Sequence, residues 1–336
     1  MRTVIGPMFA GQSGWIGKLL DGATAELVAG ADAQDDCAVF RASGPMEIVV
    51  GSDYVRGPKF QLYESGHLSN FDIGYYLATA NLSDIAAMGA LPIALLTVVR
   101  YPRSLSDADF AAVMAGIDAA CRAVGTVNVG GDIGTAERII LSGSAVGIVE
   151  PGGALLRTGA RPGDRLCVTG PTGLAASAQR YFGAAGPGAG ALAAEREDEL
   201  IASWRRPRAL VPQGRALSAS GVVTSCQDTS DGLKAGVQSL AAASGVGFVV
   251  DEEALPVAGL VAEVAALTGG DVTATVLGDS VDFQLVFTVP PDGFARLPED
   301  LAFHEIGHAT EERAVVLRRR DGTVEDLPGV PWRHEV

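Results

Sequence analysis

Two hydrophobic periods alternate along this chain. Residues 46–50 and 93–99 are aliphatic, largely β-branched runs of strand length. Between them Phe71, Tyr75, Ala78, Leu82, Ile85 and Gly89 recur at steps of three and four, which predicts a helix over 71–89. Asp84 sits beside that apolar stripe, near the helix end. A second helix is better marked: Ser106 with Asp109 resembles a capping box, Phe110, Val113, Ile117, Cys121 and Val124 form the inner face, and Gly125 supplies the stop. Residues 126–129 then predict a strand that delivers Gly130-Gly131-Asp132, and 138–149 a strand or hairpin arm. After Pro151-Gly152-Gly153 come a turn at 159–164, a strand at 165–169, a helix at 231–244 and strands at 246–250 and 283–288. Residues 183–195, nearly all Gly, Ala and Pro, predict a mobile surface loop. Strands and helices alternate without regular βαβ spacing, which favours an α+β fold. The Pro-Gly-Gly break divides it into domains at 1–152 and 153–336.

Composition narrows the function. A length of 336 residues suits two domains. The net charge of −15 argues against nucleic acid or an anionic membrane as partner. Any phosphate ligand must therefore be received through metal ions or a few local Arg and Lys residues. Cys37, Cys121, Cys167 and Cys226 are widely spaced with no C-x-x-C, as expected for reduced, buried thiols. No secretory apolar segment opens the chain and no apolar run reaches membrane-spanning length, so the expectation is a cytoplasmic protein.

Two motifs imitate catalytic signatures. His304-Glu305-Ile306-Gly307-His308 spells H-E-x-x-H, which binds zinc only on a helix that puts both His on one face. A Gly inside the motif and the missing apolar stripe point instead to two exposed His on a strand and turn. Gly11-Gln12-Ser13-Gly14-Trp15-Ile16-Gly17-Lys18 resembles a phosphate-binding loop, but it has one residue too many and Leu19 where a hydroxyl should meet Mg²⁺.

The acidic patches are more informative. Asp35-Asp36, Ser52-Asp53, Asn81-Leu82-Ser83-Asp84, Gly130-Gly131-Asp132 and Asp228-Thr229-Ser230-Asp231-Gly232 are far apart in sequence. Any one can be a turn or a cap, and the last could simply start the helix from Leu233. Polar groups inside the apolar, Ala-rich helix around Asn81 are harder to explain, because burying them without partners is costly. Two glycines before Asp132 let a ligand approach the backbone. Carboxylates are hard oxygen ligands suited to Mg²⁺, which is commonly shared with substrate phosphates. Together the patches predict one site for magnesium and a nucleotide.

These residues resemble a family. Asp35-Asp36-Cys37-Ala38, Ser52-Asp53, the run from Asn81 to Pro92, Gly130-Gly131-Asp132, the run from Leu155 to Asp164, and Asp228-x-Ser230-Asp231-Gly232-Leu233 look like thiamine-monophosphate kinase. More broadly they are similar to the aminoimidazole ribonucleotide synthetase and selenophosphate synthetase superfamily. The resemblance implies a two-domain synthetase-like fold, with an N-terminal domain that dimerises through a shared β-barrel and a C-terminal α/β sandwich. It also implies ATP and Mg²⁺ as cofactors, a small-molecule phosphate acceptor and a homodimer. Carried over, Asp36, Ser52, Asp53, Asp84, Asp132, Asp228 and Asp231 match metal positions, with Asp53, Asp132 and Asp228 the catalytic group. Gly130, Gly131, Asp132, Arg157 and Ser230 match nucleotide contacts.

The departures lie on the acceptor side. Lys59 stands where the family has a substrate-contacting His, and Val281 where it has a Glu, while Trp332 matches a ring-packing aromatic. Gly51 replaces a Thr metal contact and Met114 an aromatic beside the adenine. The expectation is an ATP-dependent phosphotransferase whose acceptor need not be thiamine phosphate. A ligase or cyclase that activates an amide or carboxylate by phosphorylation, and a non-catalytic nucleotide-binding homologue, stay open as alternatives.

Overall fold

The computed structural model describes residues 26–29, 35–41, 45–55, 58–183 and 191–330. The first half forms a six-stranded sheet from β1 (Glu26–Ala29), β2 (Ala38–Arg41), β3 (Glu47–Val55), β4 (Leu91–Tyr101), β5 (Asn128–Thr135) and β6 (Ile140–Val149). Their spatial order is β1-β2-β3-β6-β4-β5. Neighbours run antiparallel except β4 and β5, which are parallel and are joined by the crossover helix Asp107–Ala123. The strand β3 is longer than the apolar run suggested, because β6 pairs with it along its whole length and carries Gly51-Ser52-Asp53 into the ladder.

Helices α1 (Pro58–Glu64), α2 (Asn70–Ala87) and α3 (Asp107–Ala123) belong to this half. The helix α2 starts at a capping box, in which Ser69 and Asp72 satisfy each other's backbone N–H. Fourteen of its eighteen residues are buried, so it is not the one-striped surface helix its periodicity suggested. One side lies on the sheet, and the other meets α3 and the second half of the chain. At α3 the expected cap holds: the Ser106 hydroxyl accepts from the Asp109 N–H at 3.1 Å.

The second half builds a mixed sheet from β7 (Arg165–Val168), β8 (Ser225–Asp228), β9 (Gly247–Asp251), β10 (Leu285–Val289), β11 (His304–Thr310), β12 (Val315–Arg318) and β13 (Val324–Asp326). Their order is β13-β12-β9-β11-β7-β10-β8. Its helices are α4 (Leu174–Phe182), α5 (Ala194–Arg205), α6 (Val211–Ser220), α7 (Leu233–Ser244), α8 (Gly259–Thr268) and α9 (Val272–Leu277). Of the loop expected over 183–195, residues 184–190 lie outside the described residues. Its end is helical instead, since α5 starts at Ala194 with Glu195 and Glu197 favourably placed in its first turn.

One apolar core joins the halves: Leu77, Ile85, Leu95 and Val149 share a cluster with Ala178, Trp204 and Phe283. All four cysteines are buried and unpaired. Among the described residues, no helix is long and apolar enough to cross a membrane.

The two faces of the first sheet differ. One is covered by α2. On the other, Leu91, Ile93, Leu96 and Val98 of β4 and Ile140 of β6 are exposed, as are Val129 and Ile133 on β5. Among the described residues the sheet does not close into a barrel within one chain: β1 and β5 are its two edges and do not pair with each other.

Candidate functional site

Three elements bring three carboxylates together. Asp36 comes from the turn before β2, Asp84 from the last turns of α2 and Asp228 from the end of β8, and they offer oxygens that all lie within 4.8 Å of one another. Asp36 and Asp228 are 5% and 0% exposed; Asp84 is half-buried as a residue, but its carboxylate is enclosed with the other two. At that separation two charges repel by roughly 3–4 kcal/mol at an effective dielectric near 20. Burial, then the neighbouring Asp36, pushes the Asp228 carboxyl up to about 6. Burial, then Asp228, Asp36 and Asp53, pushes Asp84 well above the usual carboxylate range.

Among the described residues, one cation is built in. Arg157, 5% exposed, forms an ion pair with Asp36 through Nη2 and lies 3.4 Å from its second oxygen through Nε. Burial works against its charge, but Asp36, Asp228 and Asp84 more than restore it. The Arg157 backbone N–H donates to Asp35 Oδ1 at 2.8 Å, so Asp35 fixes where that arginine enters. Arg157 therefore lies inside the cluster. Among the described residues, three carboxylates face one guanidinium, which leaves negative charge for a further cation, and hard oxygen donors in a mostly buried cluster fit Mg²⁺.

The remaining hydrogen bonds aim the carboxylates. Ser83 Oγ donates to Asp228 Oδ2 at 2.5 Å, and Ser230 Oγ donates to Asp228 Oδ1 at 2.8 Å. Asn81 Oδ1 accepts from the Asp53 N–H at 3.0 Å while its Nδ2 donates to Leu77 O at 2.9 Å. This is how the helix can hold a fully buried Asn at no net loss of hydrogen bonds. Gly143 makes room for it: a Cβ there would lie 2.5 Å from Asn81 Nδ2. Gly51 has a similar reason, since a Cβ would lie 2.5 Å from Cys37 Sγ. The cysteine thus fills the space where the family resemblance expects a threonine side chain.

Other expected residues separate. Asp53 faces α2 beside Asn81, whereas the Ser52 hydroxyl lies on the opposite, open face, donating to Gly143 O at 2.6 Å and accepting from Ser144 Oγ at 3.1 Å. Asp132 is on the exposed strand β5, in register with Val98, Ser142 and Tyr54 across the open face. It pairs with Arg100 at 2.7 Å, and that guanidinium holds its carboxyl below the usual range. Gly131 is required by packing, because a Cβ would lie 1.7 Å from Thr97 O of β4; around Gly130 the space is open. Asp231 is half-buried and is not one of the three clustered carboxylates, and the start of α7 is capped by neither it nor any other side chain, so the bland reading of 228–232 as a helix cap falls away.

On the acceptor side, Val281 is 4% exposed and packed in the core. Lys59 lies in α1, with its side chain outside the description. Trp332 and the loop-like segment 11–18 lie outside the described residues. The H-E-x-x-H run is a strand, β11, with Glu305 paired to Arg165 at 3.2 Å. Sequence reasoning flagged Asn81 and Ser83 as oddly polar without assigning them. It missed Asp35 as the brace of Arg157, for which no local signal exists.

Residues 34–149 match the family described as AIR synthase related protein, N-terminal domain, and residues 161–319 its C-terminal domain. The thiamine-monophosphate kinase of Pyrococcus horikoshii is 31% identical over 263 residues, 78% of this chain and 79% of that one. The chain belongs to the thiamine-monophosphate kinase family of AIR synthase related proteins. The kinase of Bacillus subtilis is 29% identical over 315 residues, covering 89% of this chain and 92% of its own. Among solved structures, the thiamine-monophosphate kinase of Stenotrophomonas maltophilia superposes with a TM-score of 0.73 at 29% identity, over 91% of this chain and 94% of that one. A ThiL solved with AMPPCP and TMP gives a TM-score of 0.81 over 99% and 97% of the two chains, a likeness of fold at 24% identity.

Proposed function

We propose that this protein is an ATP- and Mg²⁺-dependent kinase that phosphorylates thiamine monophosphate. An oxygen of the acceptor phosphate forms a bond to the γ-phosphorus, the bond from that phosphorus to the β–γ bridging oxygen breaks, and ADP leaves with the electron pair. The observation that carries this reading is the cluster of Asp36, Asp84 and Asp228, whose charge Arg157, the cation beside it among the described residues, does not balance. Those three carboxylates, with Asp53 and Asp231 beside them, would hold the metal. Bound Mg²⁺ neutralises phosphate charge and lines up the nucleotide, which is most of what phosphoryl transfer requires. Ser83 and Ser230 orient Asp228 for that task, and Arg157 keeps Asp36 ionised and in place. Because the acceptor is already an anionic phosphate, no side chain need act as general base.

The other half of the nucleotide site we assign to Gly130, Gly131 and Asp132, with the backbone at Ser52 at the sheet's rim. The exposed apolar face around Leu96 and Val98 supports a homodimer in which a second copy covers it and completes a shared barrel, since monomers seldom expose such a patch. We place the domain division at 152/153, where Pro151-Gly152-Gly153 forms the turn between the sheets, and the acceptor near Lys59 and Trp332. Four unpaired thiols support a cytoplasmic protein.

Incubation with ATP, Mg²⁺ and thiamine monophosphate tests the reading. ADP and thiamine diphosphate should form one for one. Inorganic phosphate with no diphosphate ester would move the protein to the ligase class, and no turnover would remove the kinase assignment.

A further inference from the structure

Phe283 is the only non-glycine residue at positive φ among the described residues, at +53°. For a bulky side chain this is a true outlier, and such strain persists only where the surroundings over-determine it. The surroundings here do so on three sides. Before it, Asp282 accepts from the Gly173 N–H at 2.6 Å and the Ala175 N–H at 3.1 Å, while Ser280 Oγ accepts from the Ala176 N–H at 3.0 Å, so the segment is pinned to the start of α4. The Phe283 ring meets Tyr76 edge-on at 5.6 Å, and Tyr76 stacks on Trp204. Tyr76 belongs to α2, the helix that carries Ser83 and Asp84.

After the twist, Gln284 closes on the residue next to Asp228. Its backbone N–H donates to Thr229 Oγ1 at 3.0 Å, and its carbonyl accepts from the Thr229 N–H at 2.8 Å. Thr169 anchors the far side, donating to Gln284 Oε1 at 2.9 Å and accepting from the Leu285 N–H at 2.9 Å. Thr229 is fully buried and lies between the two residues whose oxygens face each other at the cluster, Asp228 and Ser230.

We infer that the segment 280–284 is a brace for the metal-holding cluster, with Thr229 and Gln284 as positioning residues for Asp228. The strained turn at Phe283 lets one short stretch grip three elements: α4 through Asp282, α2 through the ring, and the end of β8 through Gln284. The separation of Asp84 and Asp228 is thereby set without either carboxylate being part of the brace. This rests on the metal site proposed above. Groups that orient a ligand from behind are generally worth about 10–100-fold in metal affinity.

The test is Mn²⁺ binding to the nucleotide-free protein, followed by the free-ion EPR signal, alongside thermal unfolding in chelator. Thr229→Val removes the hydroxyl that receives the Gln284 N–H, and should weaken Mn²⁺ binding by about tenfold or more. Thr229→Ser restores the acceptor and should stay within about threefold of the unaltered protein. A residue of purely structural importance would lower the melting temperature of Thr229→Val and leave the Mn²⁺ affinity of the folded protein unchanged; that result overturns the brace. If Thr229→Val does not fold, Gln284→Met takes its place: it keeps the backbone bonds to Thr229 but removes the side-chain bond to Thr169 that anchors the segment, and an affinity equal to the unaltered protein's overturns the brace. Failure of the unaltered protein to bind Mn²⁺ would overturn the metal reading, and the brace with it, so the two failures are distinct.

Discussion

The buried cluster and the strand β5 carry the same side chain, aspartate, in opposite settings. Asp228 is 0% exposed, aimed by Ser83 and Ser230 and backed by Thr229. Asp132 is exposed and held by one arginine on an open sheet face. The first is preorganised, and its cost is stored as charge repulsion and raised proton affinity. The second costs the free protein little. On the function proposed above, one polypeptide builds half of the site rigidly and leaves the other half to be completed by a ligand or a second copy.

Substitution separates the halves most sharply. Asp84→Asn should reduce ATP turnover by about 10²–10³-fold, since metal stabilisation of phosphoryl charge is worth several kcal/mol. In chelator the same variant should melt several degrees higher, because a like charge has left the cluster. Asp132→Asn should also impair turnover but leave the chelator melting temperature unmoved. Equal melting behaviour in the two variants would break the distinction between a strained and a relaxed aspartate.

Acidity gives the next largest effect. Asp228 titrates near 6 in the folded protein against an ordinary 3.8, so between those values the folded state binds the proton more tightly than the unfolded chain. Stability in chelator is therefore full below about pH 4 and falls as pH rises through 6, by on the order of 3 kcal/mol in all. Roughly half of that lies between pH 5 and 7.5, and Asp84 adds to it with the same sign. Mg²⁺ should restore stability at pH 7.5 and do little at pH 5, where protons compete for the same oxygens. Urea unfolding at both pH values, with and without Mg²⁺, measures this; identical curves in chelator would show that the cluster is not repulsive.

Much of this asymmetry was legible in the chain, for physical reasons that differ by region. The helix α2 announced itself by periodicity, and its Asn81 and Ser83 by being polar where burial is costly. The capping residue of α3 was readable because the Ser106–Asp109 interaction is local. Convergence of Asp36, Asp84 and Asp228 follows from their shared chemistry and from the family resemblance, and the structure brings those three together. Asp132 and the Ser52 hydroxyl could not be separated from them in advance, because which face of a strand a residue occupies depends on pairing with β6 and β4 far along the chain. The second burial of α2, the filling of Gly51 by Cys37 and the twist at Phe283 are likewise products of long-range packing. None leaves a mark within a few residues of itself.

A smaller but cleaner effect is expected at the open face. Leu96→Glu with Val98→Glu places charges on residues 41% and 39% exposed, so the fold of one chain should survive with little change in melting temperature. If a second copy covers this face, facing like charges would cost several kcal/mol and the protein should sediment as a monomer. The unaltered protein sedimenting as a monomer would mean that the half-built site is completed by ligand alone.

The subtlest test concerns Arg100, whose Nη2 holds Asp132 at 2.7 Å and whose Nη1 is buried without a hydrogen-bond partner. Where a metal is to reach Asp132, this arginine is a competitor that must be displaced. Arg100→Met should return the Asp132 carboxyl to its ordinary range, seen as an upward move of its titration in carbonyl-detected NMR. Such exposed pairs are weak and screened by salt, so the Mg²⁺ needed for half-maximal turnover should fall by only about twofold, and less at high ionic strength. A rise instead would mean that Arg100 supports the bound state, its guanidinium turning from the carboxylate to the phosphate chain once the metal has taken its place. Either direction locates the moment at which the relaxed half of the site acquires its working geometry, whereas no change on the Asp132 titration would show that the pair does not persist in solution.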